Sequence, residues 1–146
     1  MDPADFYRLG LRLITGGSAP DTAACRTAIG RAYYSALNRV EVTLAGWGAA
    51  CGRGPQKHGL AVRLLHATAD PDLIRSSADL DRLRTMRNRA DYDLNDGAIE
   101  TPSRARTALD LAKRVMDSLG DVESDPSRRT AAEGHIRSYR RRTNTP

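Results

Sequence analysis

Ile29, Tyr33, Leu37, Val40 and Leu44 recur at intervals of four, four, three and four residues. That spacing lines apolar side chains along one face of an α-helix, and Asp21 or Thr22 is placed to open it. A second stripe, Ala105, Ala108, Ala112, Val115, Met116 and Leu119, predicts a helix that begins at Thr101-Pro102 and ends at Gly120. Asp2-Pro3 combines an N-cap with a proline in the first turn. It predicts a helix to about Thr15, stopped by Gly16-Gly17. Gly46, Gly48, Gly52, Gly54 and Pro55 break the chain into a loop, and Leu60, Leu64 and Leu65 then mark a short helix from about Gln56 to Ala69. Asp70-Pro71 opens a further helix by the same cap-and-proline logic, running to about Leu94 before Asn95-Asp96-Gly97 stops it. There is no internal repeat and no alternating segment long enough for a strand.

The pattern therefore predicts an all-α protein with its helical domain over residues 1–120. Beyond Gly120 apolar residues become sparse, and residues 121–146 read as a basic, flexible tail. Ile136 and Tyr139 are the two side chains there able to anchor a turn on the body or on a partner.

A chain of 146 residues suits one domain around one core. Its apolar fraction of 40% relies on Ala, Leu and Val, with one Phe and one Trp, a mixture suited to closely packed helices. Cys25 and Cys51 make neither a disulfide framework nor a metal motif, and read as free thiols of a reducing cytoplasm. The opening MDPADFYRLG lacks the charged-then-apolar order of a secretion signal. No apolar run approaches the roughly 18 residues of a membrane span, so no membrane association is expected.

The formal charge is +5, and every basic residue except Lys57 and Lys113 is arginine. Arginine's planar fork suits phosphate and carboxylate recognition, which raises the standing of a nucleic-acid partner. A coding preference for arginine would leave the same composition.

The helix after Pro71 breaks its own rhythm. Leu80, Leu83, Ala90 and Leu94 call for an apolar residue at position 87, and the chain supplies Arg87. A guanidinium is costly to bury unless paired. Asp91, one turn on, can pair with it, but an exposed pair of this kind stabilises by only a few tenths of a kcal/mol. Burying a leucine there would contribute roughly 1.5–3 kcal/mol. Two explanations follow: an inward salt bridge at a helix seam, or a cation reserved for a phosphate in a cleft or dimer seam. Asn88, Tyr92 and Asp93 add polar groups beside it. Residues 79–96 hold four Arg against five Asp, so the helix is not a basic stripe for duplex binding.

Arg31, Tyr34 and Asn38 form a polar face beside the Ile29–Tyr33–Leu37 stripe, and Lys57-His58 opens the short third helix. Tyr33 and Tyr34 read most simply as core and boundary aromatics, and His58 as a surface or capping residue. His58, His66 and His135 have no recurrent ligand spacing, so no metal is assigned. Neither a phosphate-cradling GxxxxGK[ST] loop nor a G-x-S-x-G nucleophile motif is present.

Three stretches, Arg31-Ala32-Tyr33-Tyr34-Ser35-Ala36-Leu37-Asn38, Lys57-His58-Gly59, and Leu83 through Asp93 (LRTMRNRADYD), resemble the HEPN superfamily in order and spacing. The likeness covers about residues 5 to 120, leaving the tail outside it. It is nearest to small stand-alone bacterial and archaeal members that pair with a nucleotidyltransferase-like protein. The resemblance implies an up-and-down bundle of four or five helices, usually a symmetric homodimer. It also implies a metal-independent endoribonuclease of toxin–antitoxin or phage-defence type, without a cofactor and with its site at the dimer seam. Arg87 matches the family's arginine and Asn88 the polar residue after it. The histidine that commonly closes the motif is absent, and Asp91-Tyr92 stands in its region, as in an R-x-x-x-D-Y variant.

On that footing Arg87, Asn88, Asp91 and Tyr92 are the expected catalytic set, supported by Arg31, Tyr34, Asn38, Lys57 and His58. Arg87 would clamp the phosphate while the ribose 2′-hydroxyl attacks it. Asp91 would act as base or hold Arg87, and Tyr92 suits a hydrogen-bond donor or leaving-group acid. A nucleotidyltransferase-like antitoxin could modify Tyr92 and block the site by charge. The alternative is a non-catalytic module in which the same patch binds a nucleotide, RNA or a partner protein.

Overall fold

Four of the six helices among the described residues begin with the same two-residue device. Asp2, Asp70, Thr101 and Asp125 each present a side-chain oxygen to backbone N–H groups of the first turn, and a proline follows immediately. The cap satisfies donors that have no partner inside the helix, and the proline gives up an N–H that would have had none. Asp21 caps another helix by accepting from the Ala24 N–H at 2.7 Å. The computed structural model describes residues 1–145, and these contain helices but no strand. They are α1 (Pro3–Thr15), α2 (Thr22–Gly46), α3 (Lys57–Ala67), α4 (Pro71–Tyr92), α5 (Pro102–Ser124) and α6 (Pro126–Thr143). No helix among these residues is long and apolar enough to cross a membrane.

The longest helix, α2, is the hub. It packs against α1, α4 and α5, and its Ile29, Leu37, Val40 and Leu44 lie wholly inside. Gly10 lets α1 approach closely: a Cβ there would stand 3.1 Å from Leu109 Cδ2 and 3.3 Å from the Ala28 carbonyl oxygen. Both cysteines are buried and free. Burial pushes the Cys51 thiol up to about 11, which keeps it protonated and unreactive at neutral pH.

Two features depart from the reading of the sequence. Residues 126–143 are not a flexible tail but helix α6, and α5 runs through Gly120 to Ser124. The helix α6 buries Ala132 and Ile136 against α3 and α5, with Tyr139 packed partly beside them. Arg128 ties its start to the cap of α4, donating to Asp70 at 2.8 and 2.9 Å and to Asp72 at 2.9 Å. Arg140 reaches the Gly48 carbonyl at 2.8 Å. The described residues thus hold six helices, one or two more than the four or five expected. The second departure concerns the stripe of α4. Its inner face is Leu73, Leu80, Leu83, Met86 and Ala90, and Leu94 lies beyond the helix, 76% exposed. Met86 occupies the inward position that the spacing had assigned to residue 87, and Arg87 stands at the edge of the core.

Candidate functional site

Arg87 leans across from α4 onto the aromatic edge of α2. Its guanidinium carbon lies 5.6 Å from the centre of the Tyr34 ring and 5.0 Å from that of Tyr92, within the range of cation–π attraction. The side chain is only 20% exposed. Nη2 donates to the Tyr92 hydroxyl at 3.1 Å and Nη1 to Asn88 Oδ1 at 3.3 Å. The carboxylate of Asp91 approaches Nε to 2.5 Å, yet that N–H is not aimed at it, and Nε is a buried donor without a hydrogen bond. Close charge contact and poor hydrogen-bond geometry coexist here, and at this distance Asp91 still serves as the counter-ion of Arg87. Burial works against the charge of Arg87. Tyr34, Tyr92 and Asp91 outweigh it, and its pKa stands above the ordinary arginine value. The charge is permanent.

Beside this group lies a cleft of about 240 Å³ lined by Tyr33, Tyr34, Lys57, His58, Arg84, Arg87 and Asn88, with Gly54 and Pro55 on the loop side. Three cationic side chains thus share one small concavity, a natural seat for a phosphate. Lys57 is held there by Glu41 at 3.1 Å. His58 is not a surface residue: it is 3% exposed and bonded to Tyr33 and Asp81. Burial holds its pKa below the ordinary histidine value, with Asp81 opposing that shift and Arg84 adding to it. The imidazole is therefore neutral at pH 7.

Of the residues singled out by sequence, Arg87, Asn88, Asp91, Tyr92 and Tyr34 form one contact group, and Lys57 and His58 line the adjoining cleft. Arg31 and Asn38 do not join them. Arg31 stacks on Phe6 at 5.7 Å and lines a groove beside α1, while Asn38, half-buried, is not among the residues lining the cleft. The two ends of this polar face lie seven residues, about two helical turns, apart, which is enough to send them to different neighbours.

The sequence reading missed Arg84, Tyr33 and Asp81 as site residues. Asp81, Arg84 and Asn88 follow one another at three and four residues, so they share a face of α4, and that signal was present. It also missed Arg26, which carries no local signal. Its guanidinium crosses from α2 to the carbonyls of Ala90 and Asp93 at 2.7 and 3.1 Å and pairs with Glu100 at 2.9 Å. No family model, curated protein or solved structure matches this chain.

Proposed function

We propose that the protein is a metal-independent endoribonuclease of toxin type, of the HEPN kind that its motifs resemble. The observation that carries this reading is Arg87: a fixed cation lining a small cationic cleft, set against two aromatic rings, with its Nε–H not aimed at the Asp91 carboxylate beside it. In this reading a phosphate diester displaces Asp91 from the guanidinium and takes up its donors, while Arg84 and Lys57 add charge. Cationic side chains turned onto the phosphoryl oxygens stabilise the transition state of 2′-hydroxyl attack, so the reaction needs no metal. Asn88 orients the phosphate. Tyr92, 71% exposed and in contact with Arg87, donates to the departing 5′-oxygen.

A symmetric homodimer would bring two such sites together. Tyr92, large, exposed and in contact with Arg87 at the end of α4, supports it, as does the exposed Leu94 two residues beyond the helix. In cells a nucleotidyltransferase-like antitoxin would restrain the enzyme, and the exposed Tyr92 hydroxyl beside Arg87 is the group best placed for it to modify.

One observation favours the second reading, a binding module without catalysis. Asp91, Asn88 and Tyr92 already surround the guanidinium from its own helix. The two readings separate in one assay, RNA cleavage by purified protein in excess chelator. Cleavage by the wild type and none by Arg87→Ala, at unchanged helical content, is the expected result. Equal cleavage by both would remove Arg87 from the site, and RNA binding without cleavage would favour the module.

A further inference from the structure

Behind the cleft runs a chain of three polar side chains from three different helices. His58 Nδ1 lies 3.2 Å from the Tyr33 hydroxyl and Nε2 lies 3.2 Å from Asp81 Oδ1. An ionised carboxylate only accepts, so Nε2 carries the ring proton and Nδ1 accepts from the Tyr33 O–H. Both ring nitrogens are engaged, so the imidazole exchanges protons only through a partner. Of the two partners, Tyr33 lines the cleft next to Arg84 and Arg87. Asp91, the carboxylate that the phosphate displaces from the guanidinium in the reading above, does not line the cleft.

We propose that Tyr33 and His58 together form the proton acceptor for the attacking 2′-hydroxyl of RNA in this cleft, with Asp81 positioning the imidazole. The proposal rests on the ribonuclease reading above. As the 2′-oxygen forms its bond to phosphorus, its proton passes to Tyr33 Oη, and the Tyr33 proton passes to His58 Nδ1. The resulting imidazolium is stabilised by Asp81. The bond from phosphorus to the 5′-oxygen breaks, and that oxygen leaves with the electron pair and takes a proton from Tyr92. The products are a 2′,3′-cyclic phosphate and a 5′-hydroxyl. His58 then returns its proton through Tyr33 to solvent, and solvent reprotonates Tyr92. The charged and titratable groups facing the pair are Tyr34 and Glu41 from α2, Lys57 from α3, and Asp81, Arg84 and Arg87 from α4. The arginines favour a neutral imidazole before the reaction, and the Asp81 carboxylate favours the charged one during it.

The test is the rate of RNA cleavage against pH for the wild type, His58→Gln, Tyr33→Phe and Asp81→Asn, with Arg87→Ala beside them. The wild-type rate should rise along an acidic limb whose midpoint lies below the ordinary histidine value of about 6.5. His58→Gln and Tyr33→Phe should lower the rate by about 10²–10⁴-fold, and His58→Gln should abolish the limb. Asp81 is 65% exposed, so Asp81→Asn should keep the fold, and it should move the limb to lower pH. Should the buried His58→Gln variant fail to fold, Tyr33→Phe and Asp81→Asn decide. An unchanged rate and limb in the variants that fold, with Arg87→Ala inactive, would refute the relay and leave the ribonuclease reading standing. A wild type inactive at every pH would refute both.

Discussion

The guanidinium of Arg26 on α2 donates to the Ala90 carbonyl oxygen at 2.7 Å and so closes the C-terminal end of α4. The last carbonyls of a helix lack intrahelical partners and carry partial negative charge, so a cation satisfies them in both respects. The same group also holds the Asp93 carbonyl at 3.1 Å and Glu100 at 2.9 Å, and it is only 12% exposed. Asp91 and Tyr92, which surround Arg87, sit in the turn that it pins.

Arg26→Ala should therefore destabilise the protein by about 2–3 kcal/mol, the value of hydrogen bonds to a charged group whose partners are left bare. Arg26→Lys should recover little of this, because an ammonium cannot span several acceptors as the fork does. Urea denaturation measures both effects, and a midpoint unchanged in Arg26→Ala would contradict the role.

The buried His58 makes stability depend on pH. Its folded pKa lies below the unfolded one because burial disfavours the charged ring. The unfolded chain thus binds the proton more readily, and stability falls as pH drops below about 6.5, levelling off under the folded value. His58→Gln should flatten this part of the curve. Denaturation midpoints at pH 7.5 and 5 compare the two proteins, and parallel curves would show that His58 contributes nothing.

The helix α6 makes a sharp claim about Ile136. In a mobile tail its truncation would cost nothing measurable, whereas Ile136 is fully buried beside Ala132. Ile136→Ala should cost about 2–4 kcal/mol, read as a lower thermal midpoint. A wild-type midpoint would detach α6 from the core.

These residues also mark what was legible beforehand. Starts at Pro3, Pro71 and Pro102 followed from caps and prolines alone, because capping is a local matter. Asp125-Pro126 is the same signal, overlooked because α6 buries so few apolar side chains that its density resembles that of a tail. The anomaly at Arg87 was visible as a break in a stripe. Its resolution needed Met86 to turn inward and Tyr34 to cross from α2, and spacing along one helix specifies neither. Contacts such as Arg26–Ala90 and Tyr33–His58 join residues far apart in sequence. They arise from packing and leave no periodic trace.

The central claim is that the charge of Arg87 meets a nucleic-acid phosphate. A short single-stranded RNA with a 2′-deoxy nucleotide at the cleavage position cannot be cut, so it reports binding alone. Its affinity should be measured across a range of salt concentrations for the wild type and Arg87→Ala. Loss of one phosphate contact should weaken binding and lower the slope of log K against log salt by about 0.7. Identical affinities and slopes would mean that Arg87 serves only its own helix.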